Sequence, residues 1–335
     1  MQLPELHLNT TGFLCIDRVG DDGSTHRVPS ATAFFVTDRT ESPPNPIWAV
    51  TAGHCIEEAR ATGENFFLRV NTKDAYIDIP TKVDDWHLSH EADVAAVLWL
   101  GPPECPITAV PLDQFIDSSY RYQGASDLPI ASVIAQAGGQ RVMVGHEVSF
   151  VGLFSQHAGM LRNLPIARFG AVSRLPAEPI QVERPGGRIQ EVEGYLVESQ
   201  SWGGHSGSPA FWYWPVANVR FVPDPRPQEG DRAARRRAGQ YGPRPDIPIS
   251  MEAGFLALLG LVSAHFDIPT EAQTHGDVLG RVTTRLNSGI AVVTPAHFIR
   301  RLVKSEPVME ELQERGRGSL PQGGIATQDV VSGDG

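Results

Sequence analysis

Three residues that lie far apart in the chain, His54, Asp93 and Ser206, could together perform acyl transfer. Ser206 lies in Gly203-Gly-His-Ser-Gly-Ser-Pro209, where glycines on both sides let the backbone turn sharply and the hydroxyl project. A serine hydroxyl becomes a nucleophile only beside a base, and a histidine, which titrates near neutrality, is the natural one. Asp93 would accept a hydrogen bond from the far ring nitrogen of His54 and stabilise the imidazolium. Each residue alone is more often structural, so the prediction depends on their joint occurrence.

The contexts of these residues resemble the trypsin-like (chymotrypsin-fold) serine peptidases, and among them the bacterial, HtrA-like and glutamyl-endopeptidase-like branch. The order histidine, aspartate, serine along the chain is that of the family's catalytic triad. The resemblance spans residues 10–303. It is carried by Thr51-Ala-Gly-His-Cys55, Ala92-Asp-Val-Ala95, Gly203–Pro209, Leu259-Gly-Leu-Val-Ser-Ala-His265 and Gly289-Ile-Ala-Val-Val-Thr-Pro295.

The resemblance implies an all-β fold of two antiparallel six-stranded β-barrels followed by a C-terminal helix. The first barrel (10–115) would carry His54 and Asp93, the second (116–303) would carry Ser206, and 304–335 would form the helix end and a disordered tail. Short apolar runs between turn signals also favour strands. We predict strands at 12–16, 33–36, 47–50, 65–70, 75–79, 93–99, 148–154, 167–173, 191–198, 208–212, 255–265 and 289–293, and a helical turn at 55–60.

The resemblance also assigns an oxyanion hole to the backbone N–H groups of Gly204 and Ser206, which would face the charge that develops on the substrate carbonyl. His205 between them departs from the family pattern. Secreted relatives usually carry an aspartate there, which pairs with the N-terminus freed on zymogen cleavage. A histidine cannot make that pair at neutral pH, so we expect activity without N-terminal processing. His205 is compatible both with an oxyanion loop that is always ordered and with one that a partner or substrate orders.

The specificity pocket is less sharply defined by the motifs. From its distance in sequence to the nucleophile motif, Gln200 would lie near the pocket base. Ser263, Ala264 and His265, on the strand motif that follows, would lie along the pocket wall. No acidic residue occupies the base position, so a preference for Arg or Lys at P1 is not expected. The pocket is predicted to be neutral or polar, and a histidine at position 265 is also compatible with a substrate that has an acidic P1 residue.

Composition argues against several other function classes. The formal net charge of −11 speaks against general nucleic-acid binding. The longest apolar run, 254–262, is too short to span a bilayer, so we expect no membrane partner. No phosphate-binding glycine loop and no metal-ligand spacing occurs, so we expect neither a metal nor a cofactor. The N-terminus lacks a basic stretch followed by an apolar one, which favours a cytoplasmic protein.

Two segments lie outside the strand pattern. Residues 223–248 are rich in Pro, Arg, Gly and Asp, and we expect a mobile insertion. Its clustered arginines, Arg232, Arg235, Arg236 and Arg237, make it a candidate docking arm for an acidic partner. Residues 304–335 offer no room for a PDZ domain.

The leading hypothesis is therefore a serine endopeptidase that acts on protein or peptide substrates through an acyl-enzyme. The alternative is a catalytically silent scaffold of the same fold that binds a peptide or partner protein. A third reading, an esterase or structural protein unrelated to the family, requires several coincidences among the motifs.

The three cysteines are predicted to be free thiols. In many secreted relatives the cysteine after the histidine is bridged to the preceding strand, but that strand, Ala31-Thr-Ala-Phe-Phe-Val36, contains none. Alkylation under denaturing, non-reducing conditions should therefore label Cys15, Cys55 and Cys105, counted by intact mass. A count of one would demonstrate a disulfide and contradict the prediction.

Overall fold

The computed structural model describes residues 5–40, 45–63, 65–124, 140–184, 187–199, 205–215, 254–272 and 282–317. Gln200, Gly204, the predicted insertion at 223–248 and residues 318–335 of the predicted disordered tail lie outside these ranges.

The first half of the chain forms one eight-stranded sheet. Seven strands follow the order β5-β4-β1-β2-β3-β7-β6, all paired antiparallel, and β8 pairs in parallel with β2. The strands are β1 Thr11–Val19, β2 Thr25–Thr37, β3 Ile47–Thr51, β4 Phe66–Asn71, β5 Tyr76–Pro80, β6 His87–Leu88, β7 Ala95–Leu98 and β8 Val110–Pro111.

The second half forms a closed six-stranded antiparallel barrel in the order β11-β12-β15-β18-β17-β16. Its strands are β11 Glu147–Gly152, β12 Ile166–Arg174, β15 Tyr195–Glu198, β16 Pro209–Pro215, β17 Gly254–Ala272 and β18 Val282–Pro295. Two small ribbons accompany it, β9 Arg121–Tyr122 with β10 Gln140–Arg141, and β13 Ile180–Arg184 with β14 Arg188–Val192.

Three α-helices complete the described part of the chain. Helix α1 (Gly53–Thr62) follows β3 directly, and α2 (Ala296–Val303) follows β18 directly. Helix α3 (Glu306–Arg317) comes two residues after α2. The prediction for 304–335, a helix end and a disordered tail, did not include α3 as a separate helix.

The predicted all-β fold class is confirmed, and every predicted strand overlaps an observed one. The closed barrel has the expected six strands. The first half was predicted as a second six-stranded barrel, but its described strands form an eight-stranded sheet that runs from β5 to β6 without closing, and the short strands β6 and β8 raise its strand number. The strand predicted at 191–198 is in fact two: β14 pairs only with β13, and β15 belongs to the barrel. The two strands are separated by residues 193–194, and a Cβ atom on Gly194 would lie 2.8 Å from the Val292 side chain.

Three apolar clusters organise the core. One packs on the first sheet, one fills the barrel, and a third joins the two halves of the chain. The joining cluster contains Phe34, Trp48 and Val50 from the first sheet, Val151, Phe211, Leu258 and Leu261 from the barrel, and Ile299 and Leu302 from α2. Because these side chains are shared, the two sheets bury apolar area against each other, and a site between them has a defined geometry.

All three cysteines are free thiols in the structure, with Cys15 and Cys105 buried and Cys55 partly exposed. Burial raises the pKa of Cys15 to about 12, which keeps this thiol protonated at neutral pH. No helix in the described ranges combines the length and apolar character needed to cross a lipid bilayer.

Candidate active site

His54 lies in the first turn of α1, where backbone N–H groups have no partner within the helix. The residue before the helix, Ala52, has no side chain able to cap it. The backbone N–H of His54 donates instead to Asp93 Oδ1 at 2.7 Å. Asp93 lies in the loop just before β7, so its carboxylate holds the start of the helix that carries His54.

The same carboxylate contacts the His54 ring. His54 Nδ1 lies 2.8 Å from Asp93 Oδ2, and Nε2 lies 3.1 Å from Ser206 Oγ. Because a carboxylate only accepts hydrogen bonds, the neutral ring carries its proton on Nδ1. Nε2 is then free to accept the Ser206 proton. The structure thus brings together the three residues that the sequence motifs single out.

The loop that carries Ser206 makes a tight turn, in which the Ser208 N–H donates to the His205 carbonyl at 2.9 Å. Gly207 has a positive φ of 82°. A Cβ atom there would lie 2.1 Å from the Thr32 carbonyl oxygen and 2.4 Å from Thr51 Oγ1. The position therefore requires glycine for both its backbone conformation and its space.

Thr32 of β2 attaches this loop to the first sheet. Its N–H donates to the Ser206 carbonyl at 2.9 Å, and its carbonyl accepts the Thr51 hydroxyl at 2.8 Å. Its own hydroxyl oxygen accepts from the Leu153 N–H at 2.9 Å and from the Ser208 hydroxyl at 3.2 Å. On the barrel side, the Gly207 N–H donates to the Val262 carbonyl at 2.8 Å. The Ser206 backbone is consequently held by both sheets.

A fourth side chain, Arg184, joins the site although the motifs did not indicate it. Its Nη2 lies 2.8 Å from Asp93 Oδ2 and its Nη1 lies 3.4 Å from His54 Nδ1. The alternation of residues along β13 could have indicated it, because Ile180, Val182 and Arg184 are the buried positions of this strand. A charged residue on the buried face of a strand marks a paired group.

The electrostatics of the pair favour a charged Asp93. Burial raises its pKa, but the hydrogen bond and charge of His54 together with the charge of Arg184 outweigh this and hold the pKa below its ordinary value. Burial likewise opposes protonation of His54, but the Cys55 sulfur, 3.6 Å from Nε2, and the Asp93 carboxylate raise the His54 pKa well above its ordinary value. Asp93 is therefore an anion at neutral pH, as stabilisation of an imidazolium requires.

His205, next to Ser206, is 2% exposed. Burial, followed by the charges of Arg168 and His265, lowers its pKa to about 4. Its ring is thus neutral at pH 7, and Nε2 accepts a hydrogen bond from Arg168 Nε at 3.1 Å. This contact from β12 holds the residue that precedes Ser206.

The residues predicted to line the specificity pocket are only partly described. Ser263 is buried and its carbonyl accepts a hydrogen bond from Arg184 Nη1 at 2.8 Å. Ala264 is partly buried and His265 is exposed. Gln200 at the predicted pocket base and Gly204 of the predicted oxyanion hole lie outside the described residues. Within the ranges that are described, no group of three or more His, Cys, Asp or Glu residues is arranged to hold a metal ion.

Similarity to known proteins is found among solved structures. No protein-family model matches the chain, and no curated protein matches it. Among solved structures, similarity is found to an inactive form of the Rv3671c protease, at 12% identity and a TM-score of 0.36, covering 89% of each chain. The active form of that protease from M. tuberculosis shows 11% identity and a TM-score of 0.38, covering 90% of this chain and 82% of the other. The assignment of the site therefore rests on the geometry of this chain.

Replacement of Gly207 by alanine should destabilise the protein by more than about 3 kcal/mol, because the new methyl group adds a backbone clash to the cost of a positive φ. Gly187→Ala is the matched control: its φ of 76° is similar, but nothing lies within 4 Å of the added Cβ. It should cost about 1 to 2 kcal/mol. Urea unfolding measures both variants, and equal losses would contradict the packing described around Gly207.

The low pKa of His205 predicts acid destabilisation. Between pH 6.5 and about 4 the unfolded histidine binds a proton that the folded one does not, so the free energy of unfolding falls as pH falls through this window. The loss should reach roughly 3 kcal/mol. In His205→Gln the dependence of stability on pH in this window should be shallower. His157→Gln, at an exposed position, is the control and should keep the wild-type slope; an unchanged slope in His205→Gln would rule the explanation out.

Proposed function

We propose that this chain is a serine endopeptidase in which Ser206 is the nucleophile, His54 the general base and acid, and Asp93 the residue that orients His54. The observation that carries the proposal is the continuous chain of contacts Asp93–His54–Ser206, with distances of 2.8 and 3.1 Å. These distances permit proton transfer from Ser206 Oγ to His54 Nε2 without movement of the backbone.

The reaction would proceed in two halves. Ser206 Oγ attacks the carbonyl carbon of the scissile peptide bond while His54 Nε2 takes the hydroxyl proton. The tetrahedral intermediate collapses when the imidazolium gives that proton to the leaving amine, which leaves an acyl group on Ser206. Water, deprotonated by His54, then attacks the acyl carbon and releases the carboxylic acid. In both halves the carboxylate of Asp93 balances the charge on the ring.

The oxyanion of each tetrahedral intermediate needs hydrogen-bond donors, and we assign this role to the backbone N–H groups of Gly204 and Ser206. The hydrogen bonds of the Ser206 carbonyl with Thr32 and of the Gly207 N–H with Val262 support a preformed backbone at Ser206 and Gly207. The hydrogen bond between Arg168 and His205 further supports activity without N-terminal processing, since it holds the loop from within the chain.

We further propose a place for the enzyme in the HtrA-like and glutamyl-endopeptidase-like branch of the trypsin-like peptidases. For specificity, we assign Gln200, Ser263, Ala264 and His265 to a pocket without an acidic base. Arg168 Nε lies 3.1 Å from His205 Nε2, so a guanidinium lies beside the nucleophile loop. This arrangement favours a neutral, polar or acidic P1 side chain over a basic one.

Replacement of Ser206 by alanine should abolish turnover, because the nucleophile is lost, and should also abolish labelling by a fluorophosphonate probe. Turnover of a peptide library by the purified, unprocessed chain gives the activity and the P1 preference. Urea unfolding should show stability close to that of the wild type, since Ser206 is partly exposed and loses only its hydroxyl.

Ser173→Ala, at an exposed position of β12, is the control and should keep wild-type labelling. Activity of Ser206→Ala within tenfold of the wild type would exclude Ser206 as the nucleophile. A wild-type chain that neither labels nor cleaves, but binds peptides, would be a catalytically silent scaffold instead.

A further inference from the structure

Arg184 is a buried cation in contact with the candidate catalytic pair. Its side chain is 7% exposed, and that of Asp93 is 4% exposed. It comes from the hairpin β13–β14, which packs on the barrel through Ile180, Val182, Val192 and Val292. The guanidinium therefore reaches Asp93 from the opposite half of the molecule.

Each nitrogen of the guanidinium has a defined partner. Nε donates to Gln190 Oε1 at 2.9 Å on the neighbouring strand of the hairpin, and Nη1 donates to the Ser263 carbonyl at 2.8 Å. Nη2 forms the ion pair with Asp93 Oδ2 at 2.8 Å. The two hydrogen bonds to neutral acceptors hold the guanidinium in place, and Nη2 meets Asp93 through charge, since the pair has ion-pair distance without hydrogen-bond geometry.

Burial of a guanidinium carries a large desolvation penalty, which a partner of opposite charge must offset. Asp93 supplies that charge, but Asp93 already accepts two hydrogen bonds from His54. If Asp93 accepted hydrogen bonds from His54 alone, its whole negative charge would act to stabilise the imidazolium. With Arg184 beside it, part of that charge is compensated.

We propose that Arg184 is a positioning residue of this active site, which holds the Asp93 carboxylate in place and moderates its stabilisation of protonated His54. The inference rests on the proposed function and adds a fourth side chain to it. Arg184 touches neither Ser206 nor, in the proposed mechanism, the scissile bond, so its effect is exerted through Asp93 and His54.

The direction of the effect follows from the groups that face His54. These are Asp93 from the loop before β7, Arg184 from β13, Cys55 from α1 and Ser206 from the loop before β16. Arg184 contributes positive charge 3.4 Å from Nδ1, which disfavours the imidazolium. Without this charge, His54 would bind its proton more tightly, and the neutral base would form only at higher pH.

The test is the pH profile of kcat/KM for Arg184→Gln and Arg184→Lys. In Arg184→Gln the acid limb should move to higher pH by about one unit, because a nearby cation is lost. Its kcat/KM should fall about 10- to 100-fold at the optimum, because Asp93 is held less firmly. Arg184→Lys keeps the charge but has no donor at the position of Nε and so loses the hydrogen bond to Gln190; its acid limb should match the wild type while kcat/KM recovers only in part.

Arg188→Gln is the matched control. Arg188 lies directly across the hairpin from Arg184 and is exposed, so its replacement should leave the profile unchanged. An acid limb that stays in place in Arg184→Gln would overturn the proposal. A shift to lower pH would overturn the moderating role of the Arg184 charge and support the positioning role alone, because it would mean that Asp93 had lost contact with His54. If Arg184→Gln does not fold, Arg184→Lys decides: a wild-type kcat/KM would overturn the positioning role, and a loss of about tenfold with an unmoved acid limb would support it.

A second readout separates this inference from the proposed function. NMR titration of the His54 ring in Ser206→Ala, with and without Arg184→Gln, measures the pKa of His54 without turnover; His54→Gln assigns the signal. A pKa that rises on loss of Arg184 supports the electrostatic role even if the wild type cleaves nothing. Conversely, labelling of wild-type Ser206 with no change in the His54 pKa would retain the peptidase and exclude the role of Arg184.

Discussion

The geometry of the site depends on the contacts of one group, the carboxylate of Asp93. Its Oδ1 accepts the backbone N–H of His54 and its Oδ2 meets the His54 ring and Arg184. A buried carboxylate is stable only when such partners replace water, so the same contacts that permit its burial also define the position and tautomer of His54. The Asp93 side chain consequently links the charge in the site, the start of α1 and the orientation of the His54 ring.

The second constraint is the packing of two sheets against each other. His54 and Asp93 belong to the first half of the chain, in α1 and in the loop before β7, whereas Ser206 and Arg184 belong to the second half. The apolar cluster shared by Phe34, Phe211 and Ile299 joins the halves, and Thr32 attaches the Ser206 loop to β2. Because cores are close-packed and transmit small displacements, the 3.1 Å contact between His54 and Ser206 depends on side chains well outside the site.

Much of the fold was readable from local patterns. Short apolar runs between turn residues predicted strands that overlap observed ones, and the all-β class followed. The errors have physical reasons. The polarity of the run 191–198 does not reveal that its two parts pair with different strands, β14 with β13 in the hairpin and β15 with β18 in the barrel. Strands β6 and β8 have two residues each, too few for any period to show.

For the site, the sequence by itself determined which residue types were available: His54 before a helix, Asp93 before a strand and Ser206 between glycines. Such motifs carry their own local conformation, as the positive φ of Gly207 illustrates. Only the tertiary structure decided that Arg184 joins them, that His205 is held neutral by burial and Arg168, and that Asp93 is shared between His54 and Arg184. These features arise from contacts between residues far apart in the chain, and burial and charge at such contacts depend on packing that no local pattern encodes.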